Sequence, residues 1–286
     1  MPAWFYESLR RLARPFLGRG LGNVPPFRWA ARWYRRSYQP ESVAIADGRL
    51  YLNPKDRMLT PHLILHREFE PMETAAIVER VRPGMLVLDI GANVGYHSLL
   101  LSRQVGSTGR VIAFEPDPEN FGYLQQSVGS LPLANVELVN AAVWNRSGTI
   151  ELYRNAEHPG DHQIYPSDEA REHLTVQTVA VDDVIGDADV DFVKMDIQGA
   201  EGGAVEGMQR LLERRPPATM LMEFWPSGLR TAGTDPEALY RYLHGLGYAI
   251  HRCDDERRVI VPIRFEEIER TCDLDWKFVS LLCSLQ

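Results

Sequence analysis

Short apolar runs alternate with amphipathic segments along most of this chain. Apolar runs bounded by Gly, Pro or polar residues predict strands at Met85–Ile90, Val111–Phe114, Val136–Val139, Phe192–Met195 and Thr219–Phe224. Segments with a helical spacing of apolar positions predict helices at Tyr96–Val105, Glu119–Ser130, Ala200–Glu213 and Pro236–Leu246. Strands that alternate with helices are typical of a parallel sheet covered on both faces, so the pattern predicts an α/β fold.

Some segments depart from this alternation. Period-two alternation in Thr149–Tyr153 and Leu174–Val179 predicts an antiparallel hairpin, inserted in the fold, that encloses the polar loop Asn155–Glu172. The remaining predicted elements are a strand at Leu50–Leu52, a helix at Met72–Val81, and two closing strands, expected to be antiparallel, at Tyr248–Cys253 and Lys277–Cys283.

The stretch Asp89–Gly95 has the pattern D-x-G-x-N-x-G, which is typical of a buried strand followed by a glycine-rich turn. Glycine lets the backbone pass close to a ligand, and the next helix begins with unpaired N–H groups. Glu115 ends the next apolar run, where an acidic side chain can accept hydrogen bonds from both hydroxyls of a ribose. Asn93 stands where a dinucleotide fingerprint needs its second glycine. The two motifs therefore predict a nucleoside-containing cofactor, and S-adenosylmethionine fits them better than a dinucleotide.

Bulk composition limits the class of protein. A chain of 286 residues that is 44% hydrophobic can bury one large core or one core with an appendage. Its net charge of −8 argues against a general nucleic-acid-binding protein. Three cysteines without a C-x-x-C pair favour a reduced, cytoplasmic compartment. No apolar run approaches the ~18 residues that span a bilayer, and the N-terminus lacks a signal-peptide pattern.

Positive charge is concentrated in residues 1–40. This segment carries eight arginines and one acid, so its net charge is +7 and that of the remainder is −15. Aromatic residues interleave with the arginines, which favours contact with an anionic membrane, partner or glycan. The alternative is that two short helices pack their aromatic side chains on the main domain.

Four motifs together resemble one known family. They are Leu88–Tyr96 (L-D-I-G-A-N-V-G-Y), Phe114–Pro116 (F-E-P), Asn140–Ala142 (N-A-A) and Asp191–Glu201 (D-F-V-K-M-D-I-Q-G-A-E). From about residue 50 onward the chain resembles the FkbM-type S-adenosylmethionine-dependent methyltransferases. In that family the last motif usually has Glu where this chain has Gln198.

The resemblance carries expectations about fold and activity. It implies a Rossmann-like class I methyltransferase fold, with a mostly parallel seven-stranded sheet of order 3-2-1-4-5-7-6 and helices on both faces. It assigns residues 49–286 to the methyltransferase domain and leaves 1–48 as a basic, aromatic, helical segment. It also implies methylation of a hydroxyl on a sugar or natural product, with S-adenosylhomocysteine as the by-product.

In an open α/β sheet, ligands bind beyond the carboxyl ends of the strands, where the strand order reverses. In the implied order that point lies between the strands ending at Ile90 and Met195. The glycine-rich turn would then contact the methionine part of the cofactor, Glu115 the ribose, and Asn140 with Ala141 the adenine. The predicted cofactor-binding residues are Asp89, Gly91, Ala92, Asn93, Gly95, Tyr96, Ser98, Glu115, Pro116, Asn140, Ala141 and Asp196.

Methyl transfer to an alcohol is helped by a general base near the acceptor oxygen, typically by ~10²–10⁴-fold. The predicted catalytic residues are Asp196, Glu201, His162 and Glu223. Asp196 is the first candidate for the base, and the alternative is that it binds the cofactor amino group or caps the next helix. The carboxylates of Asp196, Glu201 and Glu223 could in principle hold a divalent cation, although no metal ligand is assigned. His97 is expected to pack in the first turn of its helix.

Two other functions stay open at this point. A nicotinamide-dependent oxidoreductase is disfavoured by Asn93, and a non-catalytic protein that keeps the cofactor fold is suggested only by Gln198. The expected partner is a small-molecule or glycan acceptor rather than a nucleic acid. The expected localisation is cytoplasmic, with peripheral membrane contact through residues 1–40 as an alternative, and the oligomeric state is open.

Overall fold

The computed structural model describes residues 38–46, 48–132, 134–155, 158–166 and 171–285, together with Ser8, Trp29 and Trp33. Of the predicted helical segment over 1–48, residues 1–37 lie outside the described residues apart from Ser8, Trp29 and Trp33, so its contact with an anionic surface stays a prediction. At Ser42–Ile45 the helical prediction is wrong, because these residues form a strand that pairs with the next segment of the chain. Within the described part of the chain, no helix is both long and apolar enough to cross a bilayer.

The strands confirm most of the predicted pattern, with ends that differ by one or two residues. In chain order they are β1 Ser42–Ile45, β2 Gly48–Tyr51, β3 Leu86–Ile90, β4 Arg110–Phe114, β5 Val136–Val139, β6 Ala142–Val143, β7 Gly148–Arg154, β8 Glu172–Val179, β9 Phe192–Met195, β10 Thr219–Phe224, β11 Tyr248–Asp254, β12 Val259–Pro262 and β13 Val279–Leu285.

The helices lie between these strands. In chain order they are α1 Leu59–His66, α2 Pro71–Arg80, α3 Tyr96–Val105, α4 Pro118–Gly129, α5 Val181–Ile185, α6 Glu201–Glu206, α7 Gln209–Arg214, α8 Pro226–Thr231, α9 Pro236–Gly245 and α10 Phe265–Thr271, with a short 3₁₀ helix at Gly106–Thr108.

The central sheet has the order β12-β11-β13-β10-β9-β3-β4-β5. The run from β10 to β5 is parallel, and β13 is antiparallel to both β10 and β11. This is the expected Rossmann-like arrangement, but the predicted count of seven strands is wrong. An eighth strand, β12, pairs with β11 across a polar turn and changes the order at that edge. Its apolar run Val259–Val261 is too short to have been distinguished from a loop.

Both faces of the parallel strands are buried. Leu88 and Val193 point into one apolar cluster. Their neighbours Val87 and Phe192 point into another on the opposite face. This double burial explains why the strands appear in the sequence as continuous apolar runs rather than as alternating ones.

The predicted hairpin insertion is confirmed. Strands β7 and β8 pair antiparallel, from Gly148 opposite Thr178 to Arg154 opposite Glu172. The short strand β6 adds to β8 and completes a separate three-stranded sheet. This sheet follows β5 directly in the chain, so its loop can reach the carboxyl edge of the central sheet.

A hairpin precedes the first core strand. Strands β1 and β2 pair antiparallel, and their side chains Val43 and Leu50 pack in one cluster with Leu63 and Tyr96. The division between residues 48 and 49 falls inside this hairpin. The two-part organisation of the chain stays a prediction.

The single helix predicted over Ala200–Glu213 is wrong, because the structure has two helices, α6 and α7, in that stretch. A Cβ at Gly207 would overlap the backbone carbonyl oxygen of Trp144. The helix therefore breaks where the chain passes close against Trp144, a long-range contact that local periodicity does not reveal.

Candidate functional site

A cleft opens at the carboxyl ends of β3, β4 and β9, at the point where the strand order reverses. It encloses about 840 Å³, its open mouth included. The cleft thus lies where an open α/β sheet is expected to bind its ligand.

The glycine-rich turn after β3 forms the floor of the cleft. Gly91 has a φ of +81°, and a Cβ there would overlap the backbone oxygen of Asp196. The N–H groups of Gly91 and Ala92 both donate to the carbonyl oxygen of Phe114, at 3.0 and 2.9 Å. Asn93 also has a positive φ, 51°. The turns after β3 and β9 touch at Gly91. Only a residue without a side chain therefore fits at this position.

Glu115 stands at the end of β4 and faces the same turn. Its Oε2 accepts a hydrogen bond from the N–H of Asn93, and its Oε1 accepts one from the N–H of Asp117, both at 2.9 Å. Each oxygen keeps a lone pair for a further donor. Burial raises the pKa of Glu115 to about 8, although the two N–H groups oppose this shift.

The predicted cofactor-binding residues divide into two groups. Eight of them line the cleft: Gly91, Ala92, Asn93, Tyr96, Glu115, Pro116, Ala141 and Asp196. The other four do not line it but support its wall: Asp89, Gly95, Ser98 and Asn140.

The contacts of these four residues explain their position. The Ser98 hydroxyl donates to Asp89 Oδ2 at 2.5 Å, and both side chains are buried. Gly95 lies against Leu124, and a Cβ there would come within 2.9 Å of the Leu124 side chain. The Asn140 amide donates to the backbone oxygen of Glu115 at 2.8 Å. Each therefore holds a neighbouring segment in place.

The hairpin insertion forms the opposite wall of the cleft. Its side chains Leu152 and Ile164 and its backbone at Gly160 face the glycine-rich turn. A Cβ at Gly160 would lie 3.1 Å from the side-chain nitrogen of Asn93. The Asn120 amide donates to the backbone oxygen of Pro159 at 2.8 Å, which fixes the insertion to α4.

A buried carboxylate joins α4 to the insertion. Asp117 caps α4 by accepting from the N–H groups of Glu119 and Asn120, both at 2.9 Å. Its Oδ2 lies 2.7 Å from Arg154 Nε and 3.6 Å from His162 Nε2. Because Asp117 is wholly buried, the Arg154 guanidinium is its compensating charge.

His162, one of the predicted catalytic residues, lines the cleft from the insertion. Its Nδ1 accepts a hydrogen bond from the N–H of Asn155 at 3.0 Å. Burial lowers the pKa of His162, so the ring is neutral and its proton is on Nε2, which faces Asp117. The lone pair that a general base needs is therefore already occupied.

Two other predicted catalytic residues come together through Gln198. The Gln198 amide donates to Asp196 Oδ1 at 2.8 Å and to Glu223 Oε1 at 3.3 Å. Burial and the charge of Asp196 raise the pKa of Glu223 well above its usual value. Asp196 lines the cleft, and 28% of its side chain is exposed.

Glu201, the fourth predicted catalytic residue, is turned away from the cleft. Its Oε1 accepts from the N–H of Ile197 at 3.1 Å and from the N–H of Gly199 at 3.4 Å. Burial raises the pKa of Glu201 to about 7. The side chain closes the turn that carries Asp196 and Gln198, and it does not join Asp196 and Glu223 in a close group of metal ligands.

A second group of ionisable residues lies beside Asp196. Lys194 Nζ lies 3.6 Å from Asp196 Oδ2 and 3.4 Å from the Gly91 oxygen. Burial lowers the pKa of Lys194, but the nearby carboxylates, Asp196 first and then Asp89, raise it overall. A lysine placed inside an apolar strand was the signal in the sequence for such a pairing with a carboxylate at the rim.

His97 lines the cleft as well as packing at the start of α3. Its Nε2 lies 3.8 Å from Glu70 Oε2. Burial lowers the pKa of His97 well below its usual value, and burial also raises the pKa of Glu70 and brings that of Glu73 to about 7. Glu70 and Glu73 precede the first motif by about twenty residues, and no local pattern marks them.

The lining of the cleft matches the groups of S-adenosylmethionine. Phe114, Pro116 and Ile164 provide apolar walls beside Glu115, as an adenosine group requires. Glu115 keeps two lone pairs toward a ribose diol, and the Gly91 contact keeps the floor free of side chains. The residues present therefore fit this donor.

Comparison with known proteins agrees with this geometry. The sequence profile of the family described as Methyltransferase FkbM domain matches residues 89–250, more than half of the chain. The chain belongs to the FkbM methyltransferase family. The match begins at Asp89, at the end of β3, and ends in β11, so it includes the glycine-rich turn, Glu115 and the Asp196 turn.

Two curated relatives of this FkbM-family chain share parts of it. A putative ribosomal RNA methyltransferase from Schizosaccharomyces pombe is 24% identical over 168 residues, which cover 54% of this chain and 55% of that protein. A protein-L-isoaspartate O-methyltransferase from Methanococcus maripaludis strain C5 is 39% identical over 56 residues, 20% of this chain and 26% of that protein. The chain thus spans about half the length of the first and about a quarter of the second.

Two solved structures match this chain at low sequence identity. The methyltransferase FkbM from Methylobacillus flagellatus KT is 18% identical, with a TM-score of 0.45, over 78% of this chain and 52% of that one. A putative rRNA methylase from Clostridium thermocellum is 12% identical, also with a TM-score of 0.45, over 75% of this chain and 94% of that one.

Proposed function

We propose that this chain transfers a methyl group from S-adenosylmethionine to a hydroxyl oxygen of a sugar or natural product. The observation that carries the proposal is the position of Glu115 and Asp196 on one cleft, after the two strands β4 and β9 that flank β3, with the glycine-rich turn between them. Family membership supports the methyl donor. The acceptor class rests on the resemblance and on the acids at the rim.

On the donor side, Glu115 would accept hydrogen bonds from the two ribose hydroxyls. The apolar side chains of Pro116 and Ile164 would enclose the adenine. The cofactor supplies an electrophilic methyl group on a sulfonium, and the protein has only to bind it and to exclude water.

On the acceptor side, one group must take the proton that the hydroxyl loses as its oxygen bonds to the methyl carbon. Glu223 is less suited, because burial and the charge of Asp196 raise its pKa and so favour its protonated form. His162 is unsuited because its free lone pair is used by Asn155. Asp196, which is partly exposed in the cleft, is therefore the proposed base, and the Gln198 amide would orient it.

The donor is tested by titrating the purified chain with S-adenosylhomocysteine in a calorimeter. Acceptors are then screened with methyl-labelled donor and sugar or natural-product libraries, with mass spectrometry to detect the gain of one methyl group. For Asp196→Asn we expect turnover to fall by ~10²–10⁴-fold while binding of the by-product stays within ~threefold. Asp189→Asn, a change at an exposed carboxylate near Arg215, is the matched control.

The results separate the alternatives. Absence of heat with either the donor or the by-product contradicts the donor assignment. Binding without label transfer to any acceptor supports a non-catalytic protein. The name of the fission-yeast relative adds RNA to the acceptors that should be screened, although a net charge of −8 argues against it.

A further inference from the structure

Three ionisable side chains converge beside the cofactor cleft. Glu70 and Glu73 come from the start of α2, and His97 comes from the first turn of α3. One potential ligand atom from each of the three lies within 4.8 Å of the other two. None of these residues belongs to the predicted site, and the methyl-transfer proposal does not use them.

Two polar atoms at this point have no hydrogen-bond partner. They are Glu70 Oε2 and His97 Nε2, both buried and 3.8 Å apart. Only 6% of the His97 side chain is exposed. Buried polar atoms in proteins are almost always paired, so an unpaired carboxylate oxygen facing an unpaired imidazole nitrogen indicates a missing partner.

The surrounding charges favour a cation as that partner. Glu73 is hydrogen-bonded to Ser280 and is close enough to Glu70 to share a hydrogen bond with it. Lys194 supplies one positive charge to this region, but its nearest carboxylate is Asp196. Two adjoining buried carboxylates repel each other unless they share a proton, and a bound cation would take the place of that proton.

We propose that Glu70, Glu73 and His97 bind one divalent transition-metal ion. An imidazole nitrogen with carboxylate oxygens suits Zn²⁺ or Mn²⁺ better than Mg²⁺ or Ca²⁺, which prefer oxygen ligands alone. Ligand atoms bonded at ~2.1 Å lie at most ~4.2 Å apart, so any pair near the 4.8 Å limit has to approach by at least about half an ångström. The ion would join α2 to α3 at the side of the cleft.

A competing site must be removed before this is tested. His62 and His66 stack at a centroid distance of 4.5 Å on α1, one helical turn apart, where they could chelate a metal at the surface. All measurements are therefore made on the full chain in a His62→Gln/His66→Gln background, without donor or acceptor. Under these conditions the outcome is independent of the methyl-transfer proposal.

Mn²⁺ is titrated into this background protein, and the free ion is followed by electron paramagnetic resonance. We expect one bound ion per chain, displaced by Zn²⁺ but not by Mg²⁺. Glu73→Gln and His97→Gln should each weaken binding at least ~tenfold, as loss of a metal ligand does. Glu79→Gln on the same helix is the control, because the Glu79 side chain is 66% exposed and lies outside the group.

Thermal unfolding of each variant, with and without metal, checks folding and gives a second readout. The background protein and Glu79→Gln should melt at a higher temperature with Zn²⁺, and the two ligand variants should not. The proposal is overturned if the background protein binds no Mn²⁺, if binding survives in Glu73→Gln and His97→Gln, or if Glu79→Gln loses as much affinity as they do.

Discussion

The Glu115 carboxylate accepts a hydrogen bond from the backbone N–H of Asn93 at 2.9 Å. This contact joins the end of β4 to the glycine-rich turn after β3. The same carboxylate also accepts from the N–H of Asp117, where α4 is capped. One side chain therefore fixes the shape of the turn and presents its remaining lone pairs to the cleft.

Removal of this carboxylate should weaken donor binding. In Glu115→Ala, two hydrogen bonds to the ribose are lost, each worth about 0.5–1.5 kcal/mol. We expect the dissociation constant for S-adenosylhomocysteine to rise at least ~tenfold, measured by calorimetry. Glu137→Gln on β5, where the side chain is 44% exposed, should bind as the unchanged protein does. Equal affinity in the two variants would contradict the ribose assignment.

Glu115 should also make stability depend on pH. Its pKa is about 8 in the folded chain, whereas 4.5 is the ordinary value expected after unfolding. Between these values the folded protein holds a proton that the unfolded chain releases, so stability falls as pH rises through this window. The upper bound of the loss is about 5 kcal/mol.

Glu115→Gln removes this titration but leaves every other carboxyl group in place. Urea unfolding from about pH 5 to about pH 8.5 should therefore show a shallower decline for the variant than for the unchanged protein. Glu201, whose pKa is about 7, contributes to both slopes and cancels in the comparison. Parallel slopes would show that Glu115 is ionised throughout.

Gly91→Ala should disrupt the floor of the cleft. The new Cβ would overlap the Asp196 carbonyl oxygen at a φ of +81°. A left-handed conformation alone costs a non-glycine residue about 1–2 kcal/mol, and the overlap adds to that. We expect at least ~2 kcal/mol of destabilisation in urea and a loss of donor binding beyond ~tenfold.

Gly122→Ala is the matched control for that change. Gly122 lies within α4, and a Cβ there would meet nothing within 4 Å. The same substitution should stabilise the protein by roughly 0.5–1 kcal/mol, because alanine loses less backbone freedom in a helix. Similar effects at the two glycines would show that the Gly91 contact is absent in solution.

Arg154→Met should leave a buried charge without its partner. Arg154 pairs with the wholly buried Asp117 at 2.7 Å, and only 23% of the arginine side chain is exposed. We expect a loss of about 3 kcal/mol in the free energy of unfolding. Arg241→Met breaks a surface pair in which the arginine is 75% exposed, so it should cost less than about 0.5 kcal/mol. A small change in the free energy of unfolding of Arg154→Met would mean that another group serves as the partner of the Asp117 carboxylate.

Gln198→Glu restores the residue usual in the family but removes an amide donor that bridges two acids. The variant places a third carboxyl group beside Asp196 and Glu223. We expect about 1–3 kcal/mol of destabilisation near pH 8 and a smaller effect near pH 5, where the added group can be protonated. Gln209→Glu, on an exposed stretch of α7, should change little at either pH. An effect independent of pH would contradict this interpretation.

Alternation of apolar runs was enough to predict the parallel core of this fold. The segments Phe192–Met195 and Thr219–Phe224 form strands with the predicted ends, because burial on both faces leaves an unmistakable apolar run. The helix break at Gly207 could not be predicted, since its cause is the distant Trp144 backbone. The edge strand β12 was missed because its partner strand, rather than its own composition, gives it regular structure.

The glycine-rich turn and Glu115 were easier to predict from the sequence than the other ionisable groups beside the cleft. Glycine and acid at fixed spacing define the turn and Glu115, both of which line the cleft. The pair of Glu70 and His97 is separated by a whole helix and a strand in the sequence, so only tertiary packing brings them together. The orientation of Glu201 toward backbone N–H groups likewise depends on the shape of its own turn.

The absence of a side chain at Gly91 has a mechanical consequence. Its backbone rests directly on the Asp196 carbonyl, so the turns after β3 and β9 cannot shift independently. A displacement of either segment by an incoming molecule is transmitted to the other without an intervening hinge. We therefore expect a variant that loses the contact between Gly91 and the Asp196 carbonyl to change the order in which ligands bind as well as their affinity.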